Sequence, residues 1–130
     1  VPMEDIRKYC SLKVDPTDKD AVYYCTDMIE KPAPGCEFSN LSILGRVLLT
    51  PDVFDIIDSL EPGAGGEYQL TDAMAELARR GGIYALDFEG ERYDLGSKLG
   101  FLKANVVKGL EHPETKEEFR AFIKALAEGL

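Results

Sequence analysis

The sequence predicts an α/β or α+β fold, and three observations lead there. Strand-like and helix-like segments alternate in mixed order along 130 residues, about one domain's length. The apolar fraction of 45% is that of an ordinary globular chain. Proline, glycine and aspartate cluster between the periodic stretches, where they act as turn and stop signals. The opening, Val1 to Asp20, is polar and broken by Pro2 and Pro16. It holds a short helical turn at Met3–Arg7, a brief apolar stretch around Tyr9–Val14, and turn chemistry from Asp15 to Asp20. Ala21–Ile29, rich in Val, Tyr and Thr, reads as a strand. Leu41–Leu49 is the clearest strand, with Leu41, Ile43, Gly45, Val47 and Leu49 on one face and Leu44 and Leu48 on the other. Apolar residues on both faces mark a central strand, so the sheet is expected to extend into further chain or another copy.

Thr50-Pro51-Asp52 then starts a helix, with Thr50 as N-cap, Pro51 in the first position and Asp52 at the positive end of the dipole. Phe54, Ile57 and Leu60, with Val53, form its expected buried stripe, and Pro62-Gly63 stops it. A Gly-rich loop, Gly63–Gly66, leads to a second helix capped by Thr71 or Asp72. Met74, Leu77 and Ala78 face inward, and Gly81-Gly82 ends the helix. Ile83–Phe88 alternates as a strand with Tyr84, Leu86 and Phe88 together. A third helix runs from Ser97 to Leu110, with Leu99, Leu102, Val106 and Leu110 at helical spacing. After His112-Pro113 a last helix lines up Phe119, Phe122, Ile123, Leu126 and Leu130, as core or subunit contact.

Composition removes several function classes. The formal charge is −9, and the acidity is spread along the chain, which argues against nucleic-acid binding and against docking on anionic membrane. Uninterrupted apolar runs are too short to span a bilayer, and no charged-then-apolar leader opens the chain, so a cytoplasmic location is expected. Cys10, Cys25 and Cys36 are odd in number and include no C-x-x-C pair, which disfavours a disulfide framework or a zinc site. His112 is the single histidine and has no nucleophile at motif spacing.

Three polar groups fall at strand ends or before helices, where α/β sheets place ligands. Glu30-Lys31-Pro32 joins a carboxylate suited to sugar hydroxyls with an ammonium suited to phosphate; taken alone, the tripeptide reads first as a solvated pair leaving a strand. Asp94, in Tyr93-Asp94-Leu95-Gly96, suits Mg²⁺, which takes one or two carboxylates plus phosphate oxygens; it also suits a turn or helix cap. Gly63–Gly66 before a helix suits an anion, although it fits neither the P-loop nor the dinucleotide spacing and reads as well as a surface loop.

Taken in order, these segments resemble one family. They are Glu30-Lys31-Pro32, Ser39–Arg46, Leu49–Phe54, Glu61–Ala73, Phe88–Ala104 and His112-Pro113-Glu114. Together they look like the C-terminal half of bacterial UTP–glucose-1-phosphate uridylyltransferase, a sugar nucleotidyltransferase. The Gly-Gly-Glu block and the Arg-Tyr-Asp-x-Gly-x-Lys-x-Gly block are the specific ones. The resemblance implies a Rossmann-like α/β mixed sheet with flanking helices, here an incomplete domain, with residues 1–130 as its sugar-binding and oligomerisation portion. It implies Mg²⁺-dependent transfer of the uridylyl group of UTP to glucose 1-phosphate, giving UDP-glucose and pyrophosphate. By position Glu30 would bind glucose hydroxyls, Lys31 would neutralise phosphate charge, and Asp94 would be a metal carboxylate. Asn40 and Gly45 would face the sugar. The family's nucleotide-binding half has no counterpart here, so the chain alone is expected to be inactive. A homo-oligomer is expected. A non-catalytic oligomerisation module, and a nucleotidyltransferase for another sugar 1-phosphate, are the alternatives.

Overall fold

The computed structural model describes residues 1–43 and 45–129, with residue 64 described for its backbone only. The positions expected of Leu44 and Leu130 lie outside the described residues. The chain divides into two compact units, Val1–Glu89 and Gly90–Leu130.

The first unit is a three-stranded antiparallel sheet with helices against it. A 3-10 turn, Met3–Lys8, buries Ile6 and leads into β1, Cys10–Pro16. β2, Val22–Glu30, pairs with β1 on one side and with β3, Ile83–Leu86, on the other. The β1–β2 register runs from Cys10 opposite Glu30 to Pro16 opposite Tyr23, with a bulge between Lys13 and Val14. That bulge explains why Cys25 and Met28, at odd and even positions of one strand, are both buried. One extra residue reverses the face on which later side chains fall. α2, Leu70–Arg79, lies on the sheet and buries Ala73, Met74, Ala75, Leu77 and Ala78. An ion pair from Arg79 to Asp27 (2.9 Å) ties it to β2. Gly81, at φ +92°, ends the helix as its sequence predicts. A second cluster gathers Val53, Ile56, Ala73 and Leu77, linking α2 to α1, Asp52–Ile57.

Several expectations are corrected. Leu41–Leu49 is not a strand: among the described residues it has no sheet partner, and Gly45 turns the backbone at φ +91°. Alternation supplies the faces of a strand but not the neighbour whose ladder it needs. The segment instead runs beside the outer edge of β1. Leu12 N–H donates to the Leu41 carbonyl (3.0 Å), and Ile43 N–H donates to Cys10 Sγ (3.2 Å). Leu41, Ile43 and Leu49 still pack on the core, while Leu48 is 100% exposed. The third strand is β1, whose apolar stretch at Tyr9–Val14 carries only a weak strand signal. On α1, Phe54 points to solvent and Ile56 takes the buried place. The helix is only six residues long, so its inward stripe is a single pair. The Thr50 hydroxyl donates to Asp52 and caps no backbone N–H. On β3 the inward residues are Ile83 and Ala85; Tyr84 and Leu86 face outward, with Tyr84 edge-on to Tyr24.

The second unit is a helical hairpin. α3, Lys98–Glu111, is N-capped by Ser97, whose hydroxyl accepts from Gly100 N–H (3.2 Å). α4, Lys116–Ala127, follows a turn in which the Thr115 hydroxyl donates to the Gly109 carbonyl (2.8 Å). Gly109 lets the Phe119 ring lie against α3, where a Cβ would crowd it. Phe119 and Phe122 stack at 6.2 Å. Leu99, Phe101, Leu102, Phe122 and Leu126 are exposed.

Candidate functional site

A cavity of about 250 Å³ opens in the first unit at the end of the sheet where β1 begins and β2 finishes. The register fixes what meets there. Cys10 sits opposite Glu30, and Lys31 N–H donates to the Tyr9 carbonyl (2.9 Å). Lys8, Tyr9, Cys10 and Glu30 line one part of the cavity. Ile43, Gly45 and Val47 line another, and Leu70, Thr71 and Met74 of α2 complete it. The walls are largely apolar, with a few polar groups converging, which is the general make-up of a small-molecule site.

Glu30 is half-buried, and its Oε2 accepts from the Thr71 hydroxyl at 2.7 Å. Lys31 follows with its backbone at φ +43° and precedes Pro32. Left-handed backbone costs a residue with a side chain roughly 1–2 kcal/mol, and a following proline restricts it further. The strain is held by the bond to Tyr9 and by the buried Pro32. The Glu-Lys-Pro turn is thus a shaped exit from β2 and not a loose charged pair.

The segment that carries Gly45 is anchored by a buried serine. Ser11, 0% exposed, donates to the Ser39 carbonyl (2.8 Å) and accepts from Phe38 N–H (2.9 Å) and Ser39 N–H (3.0 Å). The Ser39 hydroxyl returns to the Leu12 carbonyl (2.6 Å). Gly45 has open space where a Cβ would stand, so glycine is required there for its backbone angle and not for room. Asn40 is exposed and does not line the cavity; its carbonyl accepts from the Val1 ammonium (3.0 Å).

The structure therefore brings Glu30 and Gly45 to one cavity, whereas Lys31, next to Glu30 in sequence, is exposed and does not line it. It adds Lys8, Tyr9, Cys10 and Thr71, for which the sequence carries little signal. Thr71 does not cap α2 as expected. The N-cap is Gln69, with no side-chain cap bond, and the Thr71 hydroxyl is committed to Glu30. Asp72 does not cap it either; its own N–H donates to the Gln69 carbonyl (3.0 Å).

Asp94 lies in the second unit, in a tight turn built by the two glycines of its motif. Asp94 Oδ1 accepts from Gly96 N–H (3.0 Å), and Oδ2 stands 3.9 Å from the Arg92 guanidinium. A side chain at Gly100 would overlap the Asp94 carbonyl oxygen. Beside it the Tyr93 hydroxyl donates to Glu91 (2.7 Å), and that carboxylate pushes the phenol's pKa up. Among the described residues no group of three His, Cys, Asp or Glu could hold a metal by itself. One carboxylate suits a Mg²⁺ whose other ligands are phosphate oxygens and water, and not a closed cage.

No family model matches the chain. The UTP–glucose-1-phosphate uridylyltransferase of Staphylococcus epidermidis is 43% identical over 127 residues, covering 97% of this chain and 43% of that protein. The UTP–glucose-1-phosphate uridylyltransferase 2 of Streptococcus pyogenes serotype M1 is 40% identical over the whole chain, covering 44% of that protein. A crystal structure of UDP-glucose pyrophosphorylase complexed with UDP-glucose superimposes with a TM-score of 0.81 at 38% identity, over 86% of this chain and 42% of that one. The UTP-bound enzyme from Acinetobacter baumannii superimposes with a TM-score of 0.77 at 34% identity, over 95% of this chain and 42% of that one. Along its whole length the chain is homologous to UTP–glucose-1-phosphate uridylyltransferases, and it spans 43–44% of the length of these relatives.

Proposed function

We propose that this chain supplies the sugar side of a uridylyltransferase site, which converts UTP and glucose 1-phosphate to UDP-glucose and pyrophosphate. In that reaction an oxygen of the sugar phosphate attacks the α-phosphorus of UTP in line. The bond from that phosphorus to the bridging oxygen breaks, and pyrophosphate leaves. Such transfers depend on positioning and charge stabilisation more than on covalent help from the protein. Glu30 accepts hydrogen bonds from glucose hydroxyls. The Lys31 ammonium offsets charge on the sugar phosphate and on the attacked phosphorus. Gly45 lets backbone approach the sugar. Asn40 belongs to the segment leading to that wall. Asp94 is the carboxylate that would hold Mg²⁺, which when bound neutralises phosphate charge. By the resemblance the nucleotide side would lie in the stretch of the relatives that this chain does not match, and this chain by itself is expected to make no UDP-glucose.

The observation that carries this reading is the cavity itself, apolar-walled, with a tethered carboxylate at the end of β2 and a strained lysine next to it. Calorimetric titration with glucose 1-phosphate tests it. Saturable binding that Glu30→Gln weakens at least tenfold is expected; equal affinity in the variant, or none in the folded wild type, would overturn it. The exposed apolar side chains of α3 and α4 support self-association. Its free thiols, two of them buried, suit a reducing cytoplasm.

A further inference from the structure

We infer that Thr71 is the positioning residue for Glu30, fixing the orientation in which its carboxylate meets the sugar and thereby its selectivity for the sugar's hydroxyl pattern. The inference rests on the sugar-site reading above. A threonine in the first turn of a helix ordinarily serves its own backbone. Here the helix start does without a side-chain cap, and the hydroxyl reaches a carboxylate 41 residues away in sequence. Thr71 stands at the N-terminal end of α2, so the helix dipole reinforces the same preference for a carboxylate there. A glutamate side chain turns freely about its last bond. One donated bond from Thr71 fixes the plane of the carboxylate and leaves its other oxygen free to accept. Lys8, Tyr9, Cys10 and Met74 also line the cavity, but among the described residues the hydrogen bond made to the Glu30 carboxylate is the one from the Thr71 hydroxyl.

The test is a titration of the whole chain with glucose 1-phosphate and, separately, with its 2-deoxy analogue. Wild type, Thr71→Val, Thr71→Ser, Glu30→Gln and the Glu30→Gln/Thr71→Val double variant are compared, with thermal melts of each. Thr71→Val keeps the branched shape and removes the hydroxyl. It is expected to weaken glucose 1-phosphate binding about tenfold, the effect of one charge-assisted hydrogen bond, and to narrow the preference over the 2-deoxy analogue. Thr71→Ser is expected to stay within about twofold of wild type. In the Glu30→Gln background the valine is expected to add little, because residues acting through one another are non-additive. If Glu30→Gln weakens binding and Thr71→Val does not, or if the two effects add in full, the inference is overturned while the sugar site stands. If Glu30→Gln binds as wild type does, the sugar site falls and this inference with it.

Discussion

Replacing Ser11 with alanine removes a hydroxyl that three backbone groups share. The side chain is fully buried and is bonded to the Ser39 carbonyl and to the Phe38 and Ser39 N–H groups at 2.8–3.0 Å. Each buried backbone group left without a partner costs about 1–3 kcal/mol. Phe38 is exposed, so water can reach part of this stretch, and the expected total is roughly 3 kcal/mol, the bottom of the sum over the three groups. In a unit of this size each kcal/mol moves the midpoint by about 4–8 °C. The loss is read from urea unfolding of the β1 and β2 amide signals. Hydrogen exchange supplies the local readout, since the Phe38 and Ser39 amides lose protection while those of α2 keep it up to the lowered global limit. A stability loss below about 0.5 kcal/mol, with both amides still protected, would refute the role given to Ser11 in anchoring the segment that carries Gly45.

Three further outcomes follow from the same structure. Lys31→Gly relieves the left-handed backbone and gains about 0.5–1 kcal/mol over Lys31→Ala, while both weaken glucose 1-phosphate binding; a glycine variant less stable than the alanine one would contradict the strain. Burial pushes the Cys25 thiol above its ordinary pKa, so the unfolded chain ionises first. The stability this group contributes is whole below about pH 8.5 and is lost as pH rises further, and Cys25→Ala flattens that decline in a pH series of urea melts. Gly100→Ala displaces the Asp94 turn, so the Gly96 amide resonance moves while α4 resonances stay; an unmoved Gly96 would count against the close approach.

What could be read beforehand was local. α2 and the helix that Ser97 caps carry their apolar spacing and stop signals within a few turns of chain, and β2 carries its Val, Tyr and Thr. Glu30 and Lys31 stand out because they are adjacent in one short motif, whereas Gly45 comes only from the resemblance. Leu41–Leu49 reads as a strand because alternation describes side-chain faces, whereas a strand also needs a neighbour for its backbone, and here only single bonds from Leu12 N–H and to Cys10 Sγ meet that need. β1 was hard to see because Ser11 is buried on the sheet's other face and Lys13 interrupts the apolar run. Thr71 looked like a cap because its carboxylate partner is distant in sequence and only the fold brings it near. The Cys25–Met28 phase shift was equally hidden, since a bulge leaves no mark in composition.

On the proposed function, the sugar half of the site is already formed in this chain, and amide chemical-shift mapping of the isotope-labelled chain titrated with glucose 1-phosphate checks this. Saturable shifts concentrated at Glu30, Lys31, Gly45 and Thr71 are expected, with the α4 resonances unmoved. An unchanged spectrum, or shifts scattered over the surface charges and absent from the cavity, would contradict it.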